Sequence, residues 1–380
     1  FSGAGGHRAQ RSNPSPMLWE LCETVNRYYR SESDEDPLLA WTSHPLHAFD
    51  AGYFTGESLA RSFSERDLEL AKTLRREPSE RPRIELIAPV AAQPETVSAL
   101  ELSHWLWNPI RAFLDGVVRA GFEESSLYEP SGALIEIGRL EQARVGNSAL
   151  RADLRGARLE EYLGATPEFP DGTPGRIERR RLGREIEAVA ARASELRSGA
   201  KLRDTLLSVQ VEEQVVEARL QDLDERARVL HRFTRVHRKA ELATWVEHLL
   251  LNAADDPDLP KETRLVLRGT EKLPSVVSYR EVSSAREHLA QLLELYRQSL
   301  AEPVPLMERA SLEYVASLDG GLKKALSAAS KAYDAQRKWD ARLRYLFGEE
   351  DPFEDPVWSN AFAEVAEAVY RPLLDHRSES

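Results

Sequence analysis

Between Asp204 and Val236 the apolar residues change their spacing from three-and-four to two. LLSVQVEEQVVEARL and ARVLHRFTRV alternate apolar and polar residues around the charged turn QDLDER. That alternation puts successive side chains on opposite faces of an extended chain, so the stretch predicts two or three antiparallel strands. The flanking segments keep helical spacing. SALELSHWLWNPIRAFLDGVVRAG, EYLGATPEFP and ERRRLGREIEAVAARASELRSG precede the strands, and ELATWVEHLLLNAA follows them. A second short strand pair is predicted around TRLVLRGTEKLPSVVSY, then helices at 283–300, 308–318, 321–346 and 359–374. The predicted class is α+β, a small and mainly antiparallel sheet flanked by helices.

The 380 residues are 42% hydrophobic and 30% charged, enough for a sizeable core in two or more domains. No run of about 18 apolar residues is present, and FSGAGGHRAQRSNPSP lacks the basic-then-apolar layout of a signal peptide. The expected compartment is therefore the cytoplasm, with no membrane partner. Because the chain opens at Phe1, its start is expected to lie inside a larger protein. Cys22 is the single cysteine, which excludes an internal disulfide, a CxxC redox pair and four-cysteine zinc or iron–sulfur sites. A net charge of −12 argues against coating nucleic acid over the whole surface, although a local basic face can still bind it.

Ahead of the helical region the chain reads differently. MLWELCETVNRYYR is one amphipathic helix, stopped by the acidic SESDEDP. LLAWTSHPLHAFDAGYF then gathers Trp41, His44, His47, Phe49, Tyr53 and Phe54 in a stretch with no helical or strand period. SERDLELAKTLRREPSERP reads as a short helix, and RIELIAPVAAQPETV as an extended segment broken by prolines. Residues 31–95 are thus expected to be a long connection with little core of its own.

Several chemistries fail on the residues. HPLHAFD offers His44, His47 and Asp50, but the segment is extended and no third histidine has ligand spacing, so packing is favoured over metal. There is no GxSxG elbow and no phosphate loop ending in GK[ST], so no nucleophile and no ATP site is predicted. Nucleases of the PD-(D/E)xK type place an acidic residue on one strand and [DE]xK on the next, where the carboxylates hold Mg²⁺ and the lysine activates water. Each of Lys72, Lys201, Lys239, Lys261, Lys272, Lys323, Lys324, Lys331 and Lys338 lacks an acid two positions earlier. The only weak substitutes are [DE]xQ at Glu212–Gln214 and Asp334–Gln336. No catalytic residue is assigned.

Two basic clusters remain. RARVLHRFTRVHRK carries Arg226, Arg228, Arg232, Arg235, Arg238 and Lys239, and RIERRRLGR carries Arg176, Arg179, Arg180, Arg181 and Arg184. Cations in such runs suit phosphate contacts, and salt bridging to the 63 acidic residues is the competing reading. The expected DNA contacts are Arg226, Arg228, Arg232, Arg235, Arg238 and Lys239, together with Arg179 and Arg180.

GHRAQRSNPSPMLWELCETVNRYY, SHPLHAFDAGYF, LSHWLWNPIRAFL, TWVEHLLLNAA, ELYRQSLAEPVPLMERASLEYV and GEEDPFEDPVW, in this order, resemble the C-terminal third of the RecC family. Members of that family are gamma subunits of bacterial exodeoxyribonuclease V, RecBCD. The resemblance implies that residues 1–35 end a helicase-like domain without an ATPase site, and that 36–95 form a tether. Residues 96–380 would be a catalytically inactive PD-(D/E)xK domain like the nuclease domain of RecB. Trp41, His44, Pro45, Phe49, Tyr53 and Phe54 would pack at the joint between the two domains. The implied function is a non-catalytic DNA-binding and scaffolding subunit in double-strand-break repair and homologous recombination, which splits the duplex, channels its strands and takes part in Chi-linked regulation. The implied partners are RecB-like and RecD-like subunits and a duplex end with its single strands. No cofactor belongs to this chain, and Mg²⁺ and ATP are expected only in partner subunits. The hairpin Gln221–Arg226 is a candidate strand-splitting pin, with a plain core hairpin as the alternative. An interaction domain without DNA contact is a second reading. An active nuclease of the AddB type, with an iron–sulfur cluster, is a third, opposed by the single cysteine and the missing [DE]xK.

Overall fold

A computed structural model describes residues 15–29, 44–45, 47–55, 61–75, 94–119, 137–199, 201–234, 237–269, 273–348 and 350–380. The chain divides into two compact units, Phe1–Glu85 and Leu86–Ser380.

The first unit contains helix α1 (Pro16–Tyr28), a 3₁₀ turn at Ala51–Tyr53 and helix α2 (Glu65–Arg75). Pro16 at the first helical position suits a helix start, and α1 forms as its periodicity predicts. None of its residues is buried; Met17, Trp19, Leu21 and Tyr28 face out.

The second unit is built on a seven-stranded sheet: β1 (Thr96–Ser98), β2 (Arg203–Val211), β3 (Gln214–Leu223), β4 (Ala227–Arg232), β5 (Glu262–Leu267), β6 (Ser275–Tyr279) and β7 (Arg377–Glu379). Strand β3 carries β2 along one side, from Arg203↔Leu223 to Val211↔Gln214. On its other side β1 runs parallel to its start and β4 meets its end at Leu223↔Arg228. The sheet continues β4–β5–β6–β7. The β2–β3, β3–β4, β5–β6 and β6–β7 pairs are antiparallel, so the sheet is mostly antiparallel as expected. β4 and β5 are parallel because a helix crosses over between them.

Helices cover both faces of this sheet. Ahead of β2 lie α3 (Ala99–Trp107), the short α4 (Pro109–Arg111) running into a π turn at Ala112–Val117, α5 (Arg139–Asp153), α6 (Leu159–Gly164) and α7 (Gly172–Arg197). After β4 come α8 (His237–Ala253), α9 (Ala285–Gln298), α10 (Glu308–Ala316), α11 (Leu322–Arg337), α12 (Ala341–Phe347) and α13 (Pro356–His376). Ala227, Val229 and Phe233 share a core with Val145, Ala149 and Leu150 of α5 and with Leu182, Ile186, Val189 and Ala193 of α7. Gly146 of α5 is obligatory there, because a Cβ would lie 1.9 Å from the Phe233 ring. The other face meets α8: His248 bonds Thr263 of β5 at 2.9 Å, and Trp245 packs on Tyr279 of β6 with ring centroids 5.6 Å apart.

Strand β4 is therefore covered on both faces. Ala227, Arg228, Val229 and Leu230 are all buried, and His231 nearly so. The alternation expected of a half-solvated strand does not apply to a strand sandwiched between helical layers. The helix expected over 321–346 is interrupted: α11 ends at Arg337, and Asp340 restarts the chain by accepting from the Arg342 amide at 3.0 Å. The expected helix from Ser98 likewise breaks at Asn108–Pro109, where the Asn108 side chain accepts from the Arg111 amide at 2.9 Å. Among the described residues no helix is long and apolar enough to cross a membrane.

Candidate functional site

A nuclease of the PD-(D/E)xK class needs its acids on two adjacent strands, and β3 and β4, joined at Leu223↔Arg228, are one such pair in this sheet. Opposite Asp204 of β2, strand β3 carries two residues, Gln221 and Asp222, where the register slips. This bulge holds Asp222 at φ 61°, a left-handed conformation that aspartate tolerates better than most residues, and swings its carboxylate toward the α7 side. The next residue pairs with Arg228, which sets Asp222 beside Val229. Val229 and His231 then occupy, on that same face, the places at which [DE]xK would put its acid and its lysine.

The space between them is filled from α7. Arg197, in the last turn of that helix, donates to the Val229 carbonyl at 2.8 Å and to His231 Nδ1 at 3.2 Å, and lies 3.2 Å from Asp222 Oδ2. Its side chain is 11% exposed, as is that of His231. A guanidinium has only donors, so His231 Nδ1 accepts and its proton sits on Nε2. Burial, together with the positive charges of Arg197, Arg232 and Arg151, pulls the His231 imidazole from 6.5 down to about 3. The ring is neutral at physiological pH. Among the described residues no group of three or more His, Cys, Asp or Glu side chains could hold a metal ion. A protein cation, Arg197, thus sits against the Asp222 carboxylate.

The expected DNA contacts separate once placed. Arg228 is a correction: its side chain is 3% exposed, its Nη1 lies 2.8 Å from Glu247 of α8, and its Nε donates to the Gln221 carbonyl at 3.0 Å. It points into the α8 face of the sheet and reaches no solvent. Arg238 is also committed, to Glu313 of α10. Arg226, at the β3–β4 turn, and Lys239 are exposed. Arg232 is exposed at the end of β4, with Nη1 on the His231 carbonyl at 3.0 Å. Arg235 lies outside the described residues. On α7, Arg179 is half-buried over the Phe169 ring, 5.3 Å from its centroid, whereas Arg180 is exposed. In the candidate pin Gln221–Arg226, Leu223 and Asp224 are buried while Gln221, Glu225 and Arg226 are exposed, and Asp224 Oδ1 accepts the Arg226 and Ala227 amides at 2.7 and 2.8 Å.

Sequence reasoning missed Arg197 and Arg151, which stand far from β4 in the chain. Of the second basic cluster, from which the sequence reading took Arg179 and Arg180, α7 sets three members on one outer face. Arg176, Arg180 and Arg184 recur there at steps of four, all exposed, and none forms an ion pair with a carboxylate among the described residues. Their neighbour Arg181 does, with Glu178 at 2.6 Å.

Of the aromatic stretch in the first unit, Trp41 lies outside the described residues. The remainder forms a small turn held by Asp50, whose carboxylate accepts the Gly52 amide at 2.8 Å. Tyr53 Oη donates to the Pro45 carbonyl at 3.2 Å and lies 3.3 Å from His44 Nδ1. Phe49 stacks on His47 with centroids 5.0 Å apart, and Phe54 is half-buried.

A family model described as the RecC C-terminal domain matches residues 94–319, more than half of the chain. The chain belongs to the RecC family. The match begins at β1 and takes in β2 to β6, α7 and α8, so the Arg197–His231–Asp222 cluster lies within the RecC domain. RecC is a subunit of exodeoxyribonuclease V, the RecBCD assembly, which sets this chain among proteins that work in a multi-subunit complex. No curated protein matches the chain.

Proposed function

We propose that this chain is the C-terminal part of a non-catalytic, DNA-guiding and scaffolding subunit of a RecBCD-type helicase–nuclease, acting in the cytoplasm in double-strand-break repair and recombination. Its larger unit is an inactive relative of the PD-(D/E)xK nucleases. The observation that carries this reading is the Arg197 guanidinium seated against Asp222, between two strands whose remaining ligand positions are Val229 and His231. Metal-assisted cleavage needs clustered carboxylates to concentrate a divalent cation and a base to activate water. A fixed guanidinium next to the single acid repels the cation, and a histidine neutral down to about pH 3 is too weak a base.

DNA contact in this reading runs over exposed cations that no carboxylate neutralises. Arg176, Arg180 and Arg184 rise about 6 Å per step along α7, which suits a charged strand laid along the helix. In a chain of net charge −12 such a stripe is where a polyanion finds a favourable local field. The half-buried rings of Tyr53, Phe54 and Phe49, with His44, Pro45 and Trp41, are assigned to packing in the joint of the assembled subunit. RecB-like and RecD-like chains are the proposed partners, and Mg²⁺ and ATP are assigned to them.

The test is to incubate the chain with linear and forked duplexes in Mg²⁺ and in Mn²⁺ at low salt. The DNA should be retarded and remain intact. Cleavage abolished by Asp222→Ala would overturn the inactive-nuclease reading, and intact DNA with no retardation would favour a purely protein-binding domain.

A further inference from the structure

Strand β2 is an open edge of the sheet. It pairs with β3 and with no other strand among the described residues. The Gln210↔Val215 pair is not closed by backbone bonds, since the Val215 amide donates to the Glu95 carbonyl at 2.9 Å on the far side of β3. Backbone groups alternate sides along a strand, so the amides and carbonyls of Leu206, Ser208 and Gln210 point away from β3. None of these groups has a backbone partner among the described residues. The side chains of the same residues are exposed, Leu206 at 71%, while Leu207, Val209 and Val211 are buried. Residues 205–211 hold no charge and no proline, and their register runs unbroken. Charges, prolines and bulges are the devices that ordinarily blunt an edge. Charge stands just beyond the two ends. Asp204 is answered by Arg219 at 3.2 Å and Glu212 by Arg297 at 3.3 Å. Arg203 and Glu213 are exposed, and neither forms an ion pair among the described residues.

We propose that this edge receives an extended segment of a partner protein, which joins the sheet as an antiparallel strand beside β2. Outward amides and carbonyls at the spacing of a strand are completed by the backbone of another strand. The charges at the ends fix its direction and chemistry. Run antiparallel, the segment begins beside Glu213 and ends beside Arg203. It therefore carries a lysine or arginine at its start and an acid at its end, with a β-branched apolar residue opposite Leu206. A second copy of β2 fits less well, because two-fold pairing about Ser208 sets Asp204 against Glu212 and Leu206 against Gln210. Like charges directly opposite each other are destabilising. The RecC family works within a multi-subunit complex, so a partner chain is at hand. The edge uses neither the arginines of α7 nor Asp222, and the inference stands apart from DNA contact.

The test follows backbone amide exchange, residue by residue, in the intact chain with and without a synthetic peptide. The peptide alternates valine and threonine, with isoleucine placed to meet Leu206, a lysine at its start and a glutamate at its end. In the free chain the Leu206, Ser208 and Gln210 amides should exchange quickly, and those of Leu207 and Val209 slowly. Saturating peptide should slow the Leu206, Ser208 and Gln210 amides by about tenfold or more, and a peptide with its end charges exchanged should bind more weakly. Leu206→Lys, at an exposed site, should weaken peptide binding by about tenfold and leave the unfolding transition where it was. Slow exchange at these amides in the monomeric free chain would mean that the chain covers its own edge, which overturns the proposal. The same protection with a doubled mass overturns it in favour of a second copy. Amides that stay fast in saturating peptide, or equal binding of the charge-exchanged peptide, overturn it as well.

Discussion

Glu247→Ala should destabilise the Leu86–Ser380 unit by about 3–5 kcal/mol, read from denaturant unfolding at pH 7. The substitution removes the carboxylate 2.8 Å from Arg228 and leaves a guanidinium whose side chain is 3% exposed without its counter-charge in the middle of the sheet. Breaking one half of a buried pair costs far more than replacing both halves, since it is the stranded charge that is expensive. The double change Arg228→Met with Glu247→Leu should therefore recover most of the loss. It should also leave DNA affinity where it was, because Arg228 faces α8. A loss below about 0.5 kcal/mol for Glu247→Ala would mean that water reaches Arg228, and the surface reading of this arginine would return.

The second large effect has the opposite sign. Glu308 opens α10 at 8% exposure, and burial lifts its carboxyl from 4.5 to about 7, against the smaller pull of Arg238 and Arg309. Its Oε1 has no hydrogen-bond partner, and the hydroxyl of fully buried Tyr370 is likewise alone. A group whose folded value lies above its unfolded one holds its proton in the folded state. The stability penalty of the charged form grows as pH rises from about 4.5 to about 7 and is complete above that. Glu308→Gln, a neutral isostere, should stabilise the unit by roughly 2–3 kcal/mol at pH 8 and by almost nothing at pH 4. A gain that does not change with pH would show that packing, and not charge, is responsible.

Histidine burial works the other way. His231 and His248 are held at about 3 and about 4, below the ordinary 6.5, by burial above all. Both contribute stability that is present above pH 6.5 and is lost as pH falls toward those values. The unit is thus penalised on the acid side by its histidines and on the alkaline side by Glu308.

The pattern of sheet and helices is legible because periodicity records which face of an element is buried. The strands Arg203–Val211, Gln214–Leu223, Glu262–Leu267 and Ser275–Tyr279 and the long helix His237–Ala253 follow their apolar spacing. Thr96–Ser98 and Arg377–Glu379 are three residues each, too short to show a period, and they exist because β3 and β6 offer them an edge. Helix Arg139–Asp153 carries little signal because its buried face is made of Val145, Gly146, Ala149 and Leu150, mostly small residues shaped to admit Phe233.

Arg228 misleads for a physical reason. Alternation identifies polar positions, and whether those positions meet water depends on a second helical layer that lies elsewhere in the chain. The site shows the same limit. Asp222 and His231 stand on neighbouring strands and the absent [DE]xK is plain in the sequence, but the residue that closes the site, Arg197, comes from the end of a helix whose approach only the fold determines. Arg151 arrives from an earlier helix still. The arginines at 176, 180 and 184 are visible as a run, yet only their common outward face separates them from the paired Arg181 and the ring-stacked Arg179.

The most direct measurement is the affinity for a forked duplex, in Mg²⁺, as a function of salt for the wild-type chain and for Arg176→Ala, Arg180→Ala and Arg184→Ala combined. The account predicts intact DNA whose binding weakens steeply with salt, and a variant whose slope of log affinity against log salt is shallower by about one unit for each phosphate that is no longer neutralised. Cleavage of the fork, or an affinity indifferent both to salt and to the three arginines, would contradict it.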